Sequence, residues 1–318
     1  MLCAIPALRA LRAGLPDARV TLVGLPWAQA IVDRFPRYVD DLVRFPGFPG
    51  IPEAPPAVGE LPAFLAAMQA RRFDLAVQMH GSGPISNPFT VLLGASRTAG
   101  SCLPGHYRPD GDFVRYRDDL HEIRRLTAIT RALGMPDSGD ELEWPVTAAD
   151  RAELSAEADG LLADTYAVVH VGANHGARCW APERFAAAAG RIAAEGVQVV
   201  LTGTARDAAV TAAVRSAMSA KPLDLTGRTT LGALGALVSD ARLVLCNDTG
   251  VSHVAAALRV PSVVVFSASD PRRWAPLDRE RHVAVHAARG RDEGGVVELE
   301  PVIEALERQL RREGERVA

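Results

Sequence analysis

The chain is short of the residues on which several common chemistries depend. Its 318 residues hold four cysteines, Cys3, Cys102, Cys179 and Cys246, far apart and without a CxxC pair. That spacing argues against a disulfide framework and against a structural metal site, and reduced thiols in a cytosol are the expectation. No apolar run reaches the ~20 residues of a membrane-spanning helix. Arg9 and Arg12 interrupt the apolar N-terminal stretch, which therefore does not read as a secretory signal. A formal net charge of −3 gives no electrostatic footprint for nucleic acid, and no basic block would hold the chain on a membrane. The expected location is the cytoplasm, with at most peripheral contact at the inner face of the membrane. No GxGxxG follows a strand, and there is no GxxxxGK[ST], no GxSxG and no metal-ligand His pair. Those absences speak against a dinucleotide dehydrogenase, a P-loop NTPase, a serine hydrolase and a resident metal. Asn247-Asp248-Thr249 matches a glycosylation sequon, but it follows a buried strand and reads as a chance match.

What is present is alternation. Apolar residues make up 48% and charged residues 23%, ordinary values for a globular protein, and the length suits two domains of about 150 residues each. An apolar pattern from Ala4 to Leu11 is helical, and Arg19–Leu25 reads as a buried strand. A Pro- and Gly-rich loop runs from Phe45 to Pro62. Phe73–Met79 reads as a strand ending in HGSG, Ser96–Gly100 as another, and the stretch after it as a polar loop. A helix ends at Leu133, with Gly134 and Pro136 as stop signals. Ala148–Ala163 reads as a helix leading into a second run of alternation. Strands at Tyr166–Val171, Val197–Leu201, Leu223–Leu225, Arg242–Cys246 and Ser262–Phe266 alternate there with helices such as Pro182–Ala194. The last helix is placed at about Leu299–Arg312. Apolar strands alternating with amphipathic helices imply an α/β chain with parallel sheets covered on both faces. The boundaries predicted are 1–147 for a first Rossmann-like domain and 148–318 for a second, with a cleft between them and the last helix packing back on the first.

Ligands of such sheets bind at the carboxyl ends of the strands. In LVLCNDTGVSHVAAALRVPSVVVF a buried strand meets a small polar turn and then a helix. Gly250 lets backbone approach a ligand, the helix start offers unpaired N–H groups, and His253 sits one turn further in. That is an anion site suited to a phosphate or diphosphate; taken alone, it is equally an Asp or Thr cap. In VHVGANHGARCWAPERF, Arg178 is a fixed-charge fork that could hold phosphates or pair with Glu183 at the surface. In VVLTGTARDAAV, Gly203 ends a strand and Asp207 could accept a ribose hydroxyl or favour its own helix start. In the first half, His80, Gly81 and Ser82 follow a strand.

Taken together, NDTGxxHxAAALxxPxVxxF, the SASDPRRWAP after it, the Arg178-x-Trp180 segment and Leu225-Thr226-Gly227-Arg228 resemble glycosyltransferase family 9, the heptosyltransferases. The resemblance covers most of the chain. It implies a GT-B fold and inverting, metal-independent sugar transfer from a nucleotide-diphosphate sugar, ADP-heptose being the commonest theme. The acceptor would be lipopolysaccharide or another surface glycan or glycolipid. It implies donor contacts at Arg178, Gly203, Asp207, Asp248, Thr249, Gly250 and His253, and cleft contacts at His80 and Ser82. His121 and Glu122 lie in a matching stretch without a firm role. The family's base is an Asp in a turn before the first helix. Ile5-Pro6-Ala7-Leu8 match the residues that follow it, which puts the Asp one position ahead of Met1. The expectation is therefore that the catalytic base and the first, central strand of the N-terminal sheet are missing here, and that the natural protein starts roughly 10–15 residues earlier. A nucleotide-sugar binder without activity and a GT-B sugar epimerase are the rival readings.

Overall fold

A computed structural model describes residues 1–173, 176–287 and 296–317, with side chains described as far as residue 311. The chain divides into two compact units, Cys3–Glu141 with Met1, and Leu142–Ala318 with Leu2.

In the first unit α1 (Ile5–Gly14) is followed by β1 (Thr21–Gly24), α2 (Gln29–Arg34), β2 (Asp41–Arg44) and α3 (Leu61–Ala70). Then come β3 (Leu75–Val77), α4 (Ser86–Leu92), β4 (Arg97–Cys102), β5 (Asp112–Arg115) and α5 (Glu122–Ala132). Pro6 at the first turn of α1 removes an N–H that would have no helical partner. The buried face of α1, with Ile5, Leu8 and Leu11, packs on α5. His121 caps α5, its Nδ1 accepting the Ile123 N–H at 3.2 Å. Glu122 pairs with Arg125 at 2.7 Å in a buried position, and the Arg125 guanidinium lies 3.9 Å from the centre of the Tyr116 ring.

The strands of this unit are all parallel but form two separate sheets, β1-β2 and β3-β4-β5. Among the described residues the outer strands β1, β2, β3 and β5 each keep one unpaired edge. One apolar cluster nevertheless joins the two pieces. Val23 and Val43 pack with Met68, Phe89 and Leu93, and Phe45 meets Phe89 edge-on at 5.2 Å. Two expectations need correction. β1 is half-buried along its length rather than buried, as one strand of a two-stranded sheet. The stretch read as a polar loop contains β5, an edge strand whose charged ends, Asp112 and Arg115, mask its short apolar centre.

The second unit opens with Trp144, whose indole lies where a side chain at Gly235 would be, so a glycine there is a packing requirement. It continues with α6 (Ala148–Glu157), β6 (Tyr166–His170), α7 (Pro182–Ala194), β7 (Gln198–Thr202), α8 (Ala208–Ala217), β8 (Leu223–Asp224) and α9 (Leu231–Ser239). It closes with β9 (Leu243–Asn247), α10 (Gly250–Leu258), β10 (Ser262–Phe266), α11 (Pro271–Trp274), β11 (His282–His286) and α12 (Leu299–Val317). α6 is shorter than the expected Ala148–Ala163, and β11 is a strand beyond those expected from the apolar runs. Thr147 starts α6 with a full capping box to Asp150.

All six strands pair in parallel in the order β11-β10-β9-β6-β7-β8. Successive residues alternate between the two faces. Val169, Leu245, Val263 and Val265 join Phe185, Ile192 and Leu306 in one apolar cluster under α7 and α12. α12 therefore packs within this unit, on α7 and on β10 and β11. From β6 the chain moves outward to β7 and β8, then returns with β9 on the other side of β6. The interval between β6 and β9 is the topological switch point, where the two following loops diverge and leave room for a ligand.

Candidate functional site

The switch point collects most of the residues singled out in the sequence. Asn247, the last residue of β9, is fully buried. Its Nδ2 donates to the carbonyl of Val171 at 2.9 Å and faces that of Gly172 at 3.4 Å, while its Oδ1 accepts the Trp180 N–H at 3.0 Å. Both ends of the loop after β6 are thus tied to the end of β9. Trp180 is anchored again by its indole N–H, which donates to the carbonyl of Val297 at 2.8 Å. Arg178 stands on that doubly held loop, in a short 3-10 turn (Gly176–Arg178).

Asp248 follows Asn247 and is 5% exposed. Its N–H donates to the Val265 carbonyl at 3.0 Å, and its Oδ2 accepts the Ser269 hydroxyl. Arg178 Nη1 lies 3.9 Å from the same oxygen, longer than a hydrogen bond. Burial pushes the Asp248 carboxyl above its usual value, while Ser269 and Arg178 pull against that rise. Thr249 caps α10, its Oγ1 accepting the Val251 N–H at 3.2 Å, so the cap reading of this turn is correct. Gly250 begins the helix with ordinary φ, and a Cβ built on it would meet no atom within 4 Å. Among the described residues nothing requires glycine there, and the space above it is open. His253 lies one turn along α10, half-buried.

Asp207 takes the helix-start role that the sequence leaves open beside a ribose contact. It completes a capping box with Thr204, Oδ2 accepting both the backbone N–H and the hydroxyl of Thr204 at 2.7 Å. Gly172 and Gly203 make room for it: a side chain at 172 would collide with the Asp207 carboxylate, and one at 203 would come within 2.9 Å of its Cβ. The carboxylate supports the strand–helix turn after β7, one strand over from Arg178. In Leu225-Thr226-Gly227-Arg228, Gly227 has a φ of +72°, which a side chain rarely adopts, and Arg228 pairs with Glu157 at 2.8 Å.

His80 and Ser82 belong to the first unit. His80 is exposed, with Nε2 3.0 Å from Glu53 in the Pro- and Gly-rich loop, and the Ser82 carbonyl accepts the Leu103 N–H. Beside them Gln78 is buried, its amide donating to Ser86 Oγ at 2.7 Å and to the His80 carbonyl.

Sequence reasoning missed Asn247 and Ser269. Asn247 stands in the sequence as part of the NDTG stretch and of a sequon, the latter a reading its complete burial excludes. An amide at the last residue of an apolar strand was the available signal. Ser269 carried none beyond its place in SASDP. Among the described residues no group of three or more His, Cys, Asp or Glu could hold a metal, and no described helix is long and apolar enough to cross a membrane.

A model of glycosyltransferase family 9 (heptosyltransferase) matches residues 112–293. Lipopolysaccharide heptosyltransferase 3 of Escherichia coli K12 is 26% identical over 224 residues, 67% of this chain and 64% of that protein. Lipopolysaccharide heptosyltransferase 2 of the same strain is 26% identical over 290 residues, 86% of this chain and 81% of that protein. The structure of the E. coli ADP-heptose LPS heptosyltransferase II superposes with a TM-score of 0.77 at 20% identity, covering 99% of this chain and 96% of that one. The fold class is thus the GT-B expected from the sequence. With the family model matched over more than half its length and the NDTG and Arg-x-Trp segments meeting at one switch point, this chain belongs to glycosyltransferase family 9, the heptosyltransferases.

Proposed function

We propose that the switch-point site holds the diphosphate sugar donor of a glycosyl transfer, with ADP-heptose as the donor and a lipopolysaccharide or related surface glycan as the acceptor. The observation that carries the reading is the convergence of Arg178, the buried Asp248 carboxylate and the open lip above Gly250 on one point between β6 and β9. The relatives' names, two lipopolysaccharide heptosyltransferases and an ADP-heptose enzyme, support this choice of donor and acceptor.

In such a transfer the acceptor oxygen bonds to the anomeric carbon while the bond from that carbon to the diphosphate breaks, and the acceptor proton passes to a base. The departing diphosphate gains negative charge. Arg178 meets that charge with a fixed cation on a loop already held by Asn247, so little rearrangement is needed as the bond breaks. The first N–H groups of α10 add the positive end of a helix dipole. Asp248 would face the sugar, where a carboxylate accepts hydroxyl protons. We read the reaction as inverting and metal-independent, with the charge stabilisation supplied by these groups.

A thermal-shift panel of ADP, UDP and GDP sugars tests the reading, since a ligand that binds the native state raises its melting temperature. ADP-heptose is expected to give the largest shift. Equal, negligible shifts from all the nucleotide sugars would overturn it. Incubation of ADP-heptose with and without a heptose-accepting glycan separates transfer from epimerisation: transfer yields ADP and a longer glycan, whereas an epimerase alters the sugar with no acceptor present.

A further inference from the structure

Ser269 lies in the loop between β10 and α11 and is half-buried. Its hydroxyl donates to Asp248 Oδ2, the oxygen that also faces Arg178 Nη1 at 3.9 Å. The backbone of Asp248 is fixed from the same side, through its N–H to the Val265 carbonyl on β10. One carboxylate oxygen is thus held, and among the described residues no hydrogen bond reaches the other, Oδ1. Oδ1 is therefore the oxygen of this largely buried carboxylate on which a ligand's hydroxyl could donate.

The Ser269 bond selects which oxygen stays available. Without it, the carboxyl could rotate toward Arg178 and close its second oxygen onto the guanidinium, since a carboxylate and an arginine fork pair best through two parallel bonds. The ion pair would then be satisfied internally and both groups withdrawn from a ligand. With Oδ2 held by the Ser269 hydroxyl, the rotation that such double pairing requires is opposed.

Building on the donor-site reading, we propose that Ser269 is a positioning residue for Asp248: its hydroxyl occupies Oδ2, keeps the carboxylate from closing onto Arg178, and leaves Oδ1 to accept a hydroxyl of the donor's sugar.

The test compares Ser269→Thr with Ser269→Val, two side chains of nearly equal volume that differ in the hydroxyl, by calorimetric titration of the full chain with ADP and with ADP-heptose. Ser269→Thr should bind both like the parent. Ser269→Val should lose about tenfold in affinity for ADP-heptose and less than about threefold for ADP, because only the sugar hydroxyl depends on Oδ1. A merely structural role would lower both affinities together, and that result would overturn the proposal, as would Ser269→Val binding ADP-heptose like the parent. A parent protein that binds ADP but shows no added affinity for ADP-heptose would overturn it while leaving the diphosphate site standing. A parent that binds neither would overturn the donor-site reading itself, and the proposal with it.

Discussion

The side-chain oxygen of Asn247 accepts the backbone N–H of Trp180 at 3.0 Å, across 67 residues of sequence. Its amide nitrogen donates at 2.9 Å to Val171, at the other end of the same loop. Replacing Asn247 by Leu would leave buried backbone groups unpaired at both ends, each at a cost of roughly 1–3 kcal/mol. The melting temperature should fall by about 5 °C or more, measured by differential scanning calorimetry. An unchanged melting temperature would show that water or neighbouring groups replace the tie.

Gly250→Ala separates space for a ligand from space for the fold. Among the described residues a methyl group there meets no atom within 4 Å beyond its own helix, and alanine is a better helix former than glycine. The variant should melt within about 1 °C of the parent, yet lose at least about tenfold in affinity for ADP, a difference of ~1.4 kcal/mol. Isothermal titration reads the affinity. Retained affinity would place the diphosphate away from the start of α10.

Arg178→Ala should weaken ADP binding by tenfold or more, and Arg178→Lys should restore only part of the loss. A point charge remains in the lysine variant, but the two-pronged geometry that matches phosphate oxygens is gone. Titration with ADP at two salt concentrations checks both variants, and indifference of all three proteins to salt would count against a charge-based contact.

Acid should destabilise the second unit before the carboxylates titrate. His170, sharing a hydrogen bond with Thr202 at 3.1 Å, and His282, paired with Ser262 at 2.9 Å, are buried, and burial lowers each to about 4. Near pH 6.5 the unfolded chain takes up protons that the folded chain refuses. Stability is therefore full above about pH 6.5 and is lost as pH falls toward 4, by ~1.4 kcal/mol per histidine for each pH unit. Urea midpoints at pH 7.5 and 5 measure the slope, and His282→Gln should reduce it by about half. An identical slope in that variant would remove His282 from the account.

Amide exchange should distinguish the two sheets. Among the described residues β1 and β3 each have one unpaired edge, and β1 is half-buried throughout, whereas β6 and β9 are paired on both sides and buried. Exchange read by mass spectrometry should be faster in Thr21–Gly24 than in Tyr166–His170. Equal protection would mean that the first unit opens only with the whole molecule.

The second unit was legible because its strands are continuous apolar runs: YAVVH, QVVLT and SVVVF have no competing reading. β5 and β11 were not, since DFVR and HVAVH are edge strands mixing apolar with charged or titratable residues and hold their place by pairing with a neighbour. At the site, Arg178 and Asp248 stood out because charge beside glycine is visible locally. Asn247 and Ser269 act through bonds to residues 67 and 21 positions away, and no local pattern encodes such a partner. Asp207 illustrates the converse: Thr204-x-x-Asp207 was already a capping-box spacing, and the carboxylate serves the turn.

Apart from the Trp180 indole, which reaches Val297, the ties that assemble the switch point join β6, β9 and β10 through residues from Val171 to Ser269, all in the second unit. A site written into one continuous stretch of about a hundred residues can be inherited as a block. If the site holds the donor as proposed, recombination that exchanged this stretch between relatives would carry donor preference with it.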